Sequence, residues 1–125
     1  MLSNHGGRQL DRTLSSIRAL PEVVDAVGER IEVWFDGGIR GGQDVLKALA
    51  LGARGCLVGK AFLYALAAMG QTGVTTALEI IRNELQISLA LTGCNDVQAV
   101  GPEVLRGSAR GSNHRPQVMT LTAEQ

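Results

Sequence analysis

Two glycine turns, each set between an apolar strand and a helix, constrain this chain more than any other feature. In the first unit, Ile31-Glu32-Val33-Trp34-Phe35 reads as a strand rich in β-branched and aromatic residues. Asp36-Gly37-Gly38-Ile39-Arg40 follows as the turn. Asp44 to Leu51 then reads as a helix with Val45, Leu46 and Leu49 on its apolar stripe. The pattern repeats at once: Gly52-Ala53-Arg54-Gly55 ends that helix, Cys56-Leu57-Val58 forms a short buried strand, Gly59-Lys60 turns, and Ala61 to Met69 begins another helix. Strands alternating with helices over short connections imply parallel strands and right-handed crossovers, an α/β fold.

Both turns fall at the C-terminal ends of their strands, where α/β folds place their sites. In a (β/α)8 barrel the phosphate site is frequently built from the loops after the last two strands, and the two units match that position. Paired glycines let backbone N–H groups face outward to cradle an anion. Arg40 adds a planar donor fork, and adjacent strands would bring Arg40 and Lys60 to the same anion. The competing explanation is purely conformational, because most strand–helix junctions need a glycine for backbone reasons.

The chain has 125 residues, enough for one domain with a real core, and its 45% apolar and 19% charged content suits a globular protein. Twelve basic and twelve acidic residues balance, so bulk charge argues for neither nucleic acid nor an anionic membrane. Aromatic content of 3% also counts against a base-stacking surface. Any phosphate binding must therefore be local. Cys56 and Cys94 lie far apart without metal-ligand spacing, which points to structural thiols in a reducing compartment and to no metal site. Met1 to His5 lacks the basic and apolar regions of a signal peptide, and the most apolar stretch, Ala61 to Met69, is too short to span a bilayer. These features point to a cytoplasmic protein.

The first residues are rich in functional groups. Ser3-Asn4-His5-Gly6-Gly7-Arg8-Gln9-Leu10-Asp11 places an imidazole, two glycines and a guanidinium in one short loop. Histidine is suited to proton abstraction near neutral pH, and arginine can grip a carboxylate bidentately. If the loop turns helically after Gly6, His5 and Arg8 share a face and can address one small substrate. A solvated histidine and a surface arginine in a glycine turn are the plainer alternative. Thr13 to Val27 reads as helical, with Leu14, Ile17, Leu20, Val23, Val24 and Val27 inward. Pro21 is expected to divide it into two pieces, with Ser15 or Ser16 as a cap and Gly28 closing the segment. Beyond Met69, Gly70-Gln71-Thr72-Gly73 introduces a long amphipathic helix from Val74 to Leu91, which Thr92-Gly93 stops. Asn95 to Val104 has room for one short helical turn. Arg106 to Gln125 is polar and reads as a mobile tail, and His114 within it is given no catalytic role.

The nine residues from Ser3 to Asp11 resemble the active-site signature of the FMN-dependent 2-hydroxy-acid dehydrogenases and oxidases. Asp36-Gly37-Gly38-Ile39-Arg40-Gly41-Gly42-Gln43-Asp44-Val45, with Lys47 to Ala53, is similar to that family's phosphate-binding segment. Ala61 to Gly70 looks most like the bacterial L-lactate dehydrogenase branch. The resemblance runs from residue 3 to about residue 97, so residues 1–97 are expected to form the C-terminal part of such a barrel and residues 98–125 a flexible tail. It implies FMN as cofactor and a small L-2-hydroxy acid as substrate. His5 would then be the base, Arg8 the carboxylate clamp, Asp36, Gly37, Gly38 and Arg40 flavin contacts, and Gly59 with Lys60 the second phosphate-binding element. The family usually carries arginine at the position of Lys60; lysine keeps the charge and loses the planar fork.

A full barrel takes about 250 residues, and this chain matches its last two complete strands, or two to three βα units. The lysine near the flavin ring, the substrate-contacting tyrosines and the histidine-orienting aspartate of the family have no counterpart here. Two functions therefore compete: oxidation of a lactate-like acid in the intact protein, and a non-catalytic FMN- or phosphate-binding fragment, or half-barrel, that needs a partner. Another FMN barrel, such as a type 2 isopentenyl diphosphate isomerase, shares the glycine segment, but the His5–Arg8 loop speaks against it. The resemblance implies a quinone, a cytochrome or oxygen as electron acceptor. It also implies homo-oligomers, often tetramers, for the full-length protein, which could associate peripherally with the inner membrane.

Overall fold

The computed structural model describes residues 1–105. Its elements run α1 (Ser16–Val27), β1 (Trp34–Asp36), α2 (Gly42–Ala50), β2 (Gly55–Leu57) and α3 (Lys60–Leu91), followed by two 3-10 turns at Val97–Ala99 and Pro102–Val104. β1 and β2 pair in parallel, with Trp34 opposite Gly55, Phe35 opposite Cys56 and Asp36 opposite Leu57. On the other side of β1, Leu2 bridges Phe35 in the parallel sense. Its N–H donates to the Trp34 carbonyl at 2.7 Å, and its carbonyl accepts from the Asp36 N–H at 2.8 Å.

Strand alternation decides where the core sits. Val33 and Phe35 point to one face, where they join Leu20 of α1, Ile39, Ala48 of α2 and Ala53 in a single buried cluster. Trp34 and Leu57 point to the opposite face and are 44% and 40% exposed. The helices thus cover one face of the sheet and leave the other bare. Burying both faces is the rule for parallel sheets.

Three sequence expectations shift. Residues 31–33 lie outside β1, because the ladder with β2 begins only at Trp34. Pro21 does not divide α1, which is continuous across it. The proline forfeits one bond to the Ile17 carbonyl, and the burial of Leu20, with Ile17, Val23 and Val24 packed on the same cluster, holds the remaining turns in register. The residues from 95 to 104 hold two short turns rather than one.

The helical stretch after β2 is a single span of 32 residues, but Met69 (φ −142°, ψ 17°) and Gly70 (φ 60°, ψ −142°) break its backbone into two helices at the expected place. By length and composition alone that span is apolar enough to cross a membrane, a property that the shorter window 61–69 understates. Its second half instead packs against α2. Residues 106–125, the predicted tail with His114, lie outside the described residues.

Candidate active site

Three segments that carry the predicted chemistry leave the same end of the sheet. Asp36 and Leu57 are register partners at the C-terminal ends of β1 and β2, so the turn 37–41 and the turn 58–59 emerge side by side. The parallel bridge at Leu2 brings Ser3 to Arg8 out at that end as well.

Gly37 and Gly38 have φ of 105° and 90°, a left-handed region that glycine enters at little cost. A Cβ at Gly37 would meet the Ser16 hydroxyl at 2.9 Å and the Asn4 carbonyl at 3.3 Å, so this turn is pressed against the N-terminal loop. By contrast, nothing lies within 4 Å of a Cβ built at Gly38 or Gly59. Those two backbones face open space, and their N–H groups donate to no protein atom among the described residues. Two residues further along, the amides are occupied: the Asp44 carboxylate accepts from the N–H of Arg40 at 3.1 Å and of Gly41 at 3.2 Å. The Gly42 N–H donates to the Glu84 carboxylate of α3 at 2.8 Å. The side chains of Arg40 and Lys60 are exposed, and neither has an ion-pair partner among the described residues. Free amides on two adjacent turns with open space above them fit a phosphate group, and Arg40 and Lys60 each follow one of these amides in sequence.

The Asp36 side chain is committed to the protein. Its carboxylate accepts from the Ser3 hydroxyl at 2.6 Å, tying the turn to the N-terminal loop. That loop is not helical. Gly6, Gly7 and Arg8 have φ of 81°, 73° and 46°, and Arg12 has φ of 59°. The helical condition under which His5 and Arg8 would share a face is therefore not met, and both side chains are exposed. The loop is organised instead by Asn4. The Asn4 Oδ1 accepts from the Gly7 N–H at 2.8 Å, while its Nδ2 donates to the Leu14 carbonyl at 2.7 Å and to the Thr13 hydroxyl at 3.2 Å. A cleft of about 340 Å³ lies between this loop and Gly37–Gly38, lined also by Ser16 and Ile17.

A larger cavity, about 570 Å³, opens at the opposite end of the sheet beside Gly28, Val33 and Ala53. Its charged lining includes Glu32 and Arg54, already paired at 3.2 Å. No glycine turn with free amides borders it among the described residues. Of the cysteines, Cys56 sits on β2 toward the helices, and burial pushes its thiol up to about 11. It is a packing residue, not a nucleophile. Sequence reasoning missed Ser3, Asn4 and Glu84 as structural partners of the site. Only the Ser3–Asn4 pair, directly before His5, offered a local hint.

A family model described as FMN-dependent dehydrogenase matches residues 1–107. The chain belongs to the FMN-dependent dehydrogenase family. Among this family's curated members, the L-lactate dehydrogenase of Caulobacter vibrioides is 55% identical over 105 residues, covering 84% of this chain and 27% of that one. The human 2-hydroxyacid oxidase 2 is 52% identical over 108 residues, covering 86% and 31%. A crystal structure of a soluble mutant of the membrane-associated (S)-mandelate dehydrogenase from Pseudomonas putida superposes with a TM-score of 0.78 at 45% identity, over 84% of this chain and 30% of that one. The chain thus spans roughly a third or less of the length of these FMN-dependent relatives.

Proposed function

We propose that this chain carries the FMN-phosphate cradle and the substrate loop of an enzyme that oxidises a small L-2-hydroxy acid, lactate-like, to the 2-oxo acid. The observation that carries the reading is the convergence of three segments on one sheet end: the loop of His5 and Arg8, the turn at Gly37–Gly38, and the turn at Gly59. The backbone N–H groups of Gly38 and Gly59 would hold the phosphate, and Arg40 and Lys60 would neutralise it. Asp36, fixed by Ser3, would hold the glycine turn in place for the cofactor. FMN, when bound, would supply the acceptor of two electrons and one proton. Arg8 pairs with the substrate carboxylate and fixes the acid's orientation. Oxidation releases two protons and two electrons from the acid, and His5 accepts one of those protons. The surrounding frame in this reading is a (β/α)8 barrel, of which residues 1–97 supply the last two to three βα units. The electron acceptor is a quinone, a cytochrome or oxygen, and the full-length protein is cytoplasmic or peripheral at the inner membrane.

A second reading keeps the cradle and drops the catalysis. It is favoured by His5, which is exposed and has no hydrogen-bonding partner among the described residues. An unoriented imidazole is a poor base, because losing the orienting partner costs orders of magnitude in comparable sites. One experiment separates the two. The purified chain is mixed with FMN, passed through gel filtration, and treated anaerobically with L-lactate while the visible flavin absorbance is followed. Retained flavin that bleaches supports the oxidation; retained flavin that does not bleach supports a binding fragment. Flavin lost on the column overturns the cradle.

A further inference from the structure

We infer that Asn4 is the positioning residue of the substrate loop, setting where His5 and Arg8 stand relative to the sheet. The inference rests on the reading of that loop given above. One carboxamide meets three partners. Its oxygen takes the Gly7 N–H at 2.8 Å, and its nitrogen reaches forward to the Leu14 carbonyl at 2.7 Å and the Thr13 hydroxyl at 3.2 Å. The two ends of the loop, residues 4 and 13–14, are thereby closed on each other, and Gly7 is drawn into the closure. The fit around Gly7 is tight. A Cβ there would lie 2.5 Å from the Thr13 hydroxyl and 2.7 Å from the Leu10 carbonyl, in a backbone with φ of 73°.

His5 and Gly6 are the only residues between Asn4 and Gly7, and Arg8 comes next. Four positive φ values in seven residues, at Gly6, Gly7, Arg8 and Arg12, make this loop costly to hold without such a clasp. Two of those residues are arginines, for which a left-handed backbone is unfavourable. The Asn4 carbonyl also lies beside Gly37, where a Cβ would meet it at 3.3 Å, so the clasp adjoins the phosphate turn. Among the described residues nothing else inside the loop replaces it: its remaining bonds are the Leu10–Gly7 turn and the local Asp11–Arg12 contacts.

The test uses the full chain, ¹⁵N-labelled, and reads three quantities by NMR: amide exchange at Gly7, amide exchange at Ala48 and Phe35 in the core, and the shift of the Arg8 guanidinium on titration with L-lactate. Asn4→Ala is expected to speed Gly7 exchange about tenfold, the worth of one ordinary hydrogen bond. Core exchange should stay unchanged, and lactate should bind Arg8 several-fold more weakly. Thr13→Val removes a single acceptor and should move Gly7 exchange and lactate affinity in the same direction by less; it serves where Asn4→Ala fails to fold. Unchanged Gly7 exchange, or core amides that accelerate as much as Gly7, overturns the positioning role. Wild-type protein whose Arg8 ignores lactate overturns the substrate role of Arg8 instead, and Gly7 exchange then decides Asn4 alone.

Discussion

Replacing Gly42 with alanine tests the packing that seats the phosphate turn. Gly42 opens α2 two residues after Arg40, and it is buried against the second half of α3. A Cβ at this position would lie 2.0 Å from the Leu85 nitrogen and 2.5 Å from the Glu84 carbonyl carbon, so reaching ordinary contact at 3.4 Å requires α2 and α3 to part by about 1.4 Å. The obstacle is backbone, which cannot swing aside as a side chain would. Moving apart stretches the 2.8 Å bond from the Gly42 N–H to the Glu84 carboxylate. Overpacking of this kind costs about 1–3 kcal/mol, and weakening a hydrogen bond to a charged group adds about 1.5 kcal/mol. Against this, alanine gains up to about 1 kcal/mol over glycine in helix propensity. A net loss of about 2–3 kcal/mol is expected. At a urea slope of roughly 1–3 kcal/mol per molar, the unfolding midpoint falls by about 0.7–3 M. Gly59→Ala is the control: its φ is −101° and its Cβ would meet nothing within 4 Å, so stability should change by less than about 0.5 kcal/mol while FMN retention falls. A Gly42→Ala protein as stable as wild type would refute the reasoning.

Other outcomes follow from the same structure. Leu20→Ala, at a fully buried position of α1, should cost about 2–5 kcal/mol in urea unfolding. Ser3→Ala removes the 2.6 Å bond to Asp36 and should cost about 1–2 kcal/mol, with a matching loss of flavin retention on gel filtration. The Cys56 thiol titrates near 11, above its ordinary 9.0, because it is buried. The folded state therefore keeps a proton that the unfolded state has lost, so stability falls as pH rises from about 9 and levels off above about 11. Comparing Cys56→Ala with wild type across that window should show a flatter decline in the variant, and in native wild-type protein an alkylating reagent should label Cys94 ahead of Cys56.

What could be read from the sequence was local. The strand–turn–helix repeat gave the parallel pairing, since short connections leave little other choice, and Gly70–Gly73 marked the break inside the long helix. Pro21 misled because its effect on α1 was decided by burial of Leu20, not by the backbone rule. The helical expectation for the His5–Arg8 loop failed because glycine pairs permit left-handed turns as readily as right-handed ones, and Asn4 selected the former. The grip of Glu84 on Gly42 spans 42 residues, and no periodicity or spacing announces a contact at that separation. The site was legible as a set of residue types; the side chains that fix it were not.

The bare side of the sheet gives the molecule its own reporter of contact. Trp34 is the single tryptophan, its ring lies over Gly55 at a distance that leaves no space for a Cβ, and 44% of it meets water. Indole emission shifts to the blue on leaving water, so whatever covers that surface announces its arrival in the colour of one fluorophore, without any label.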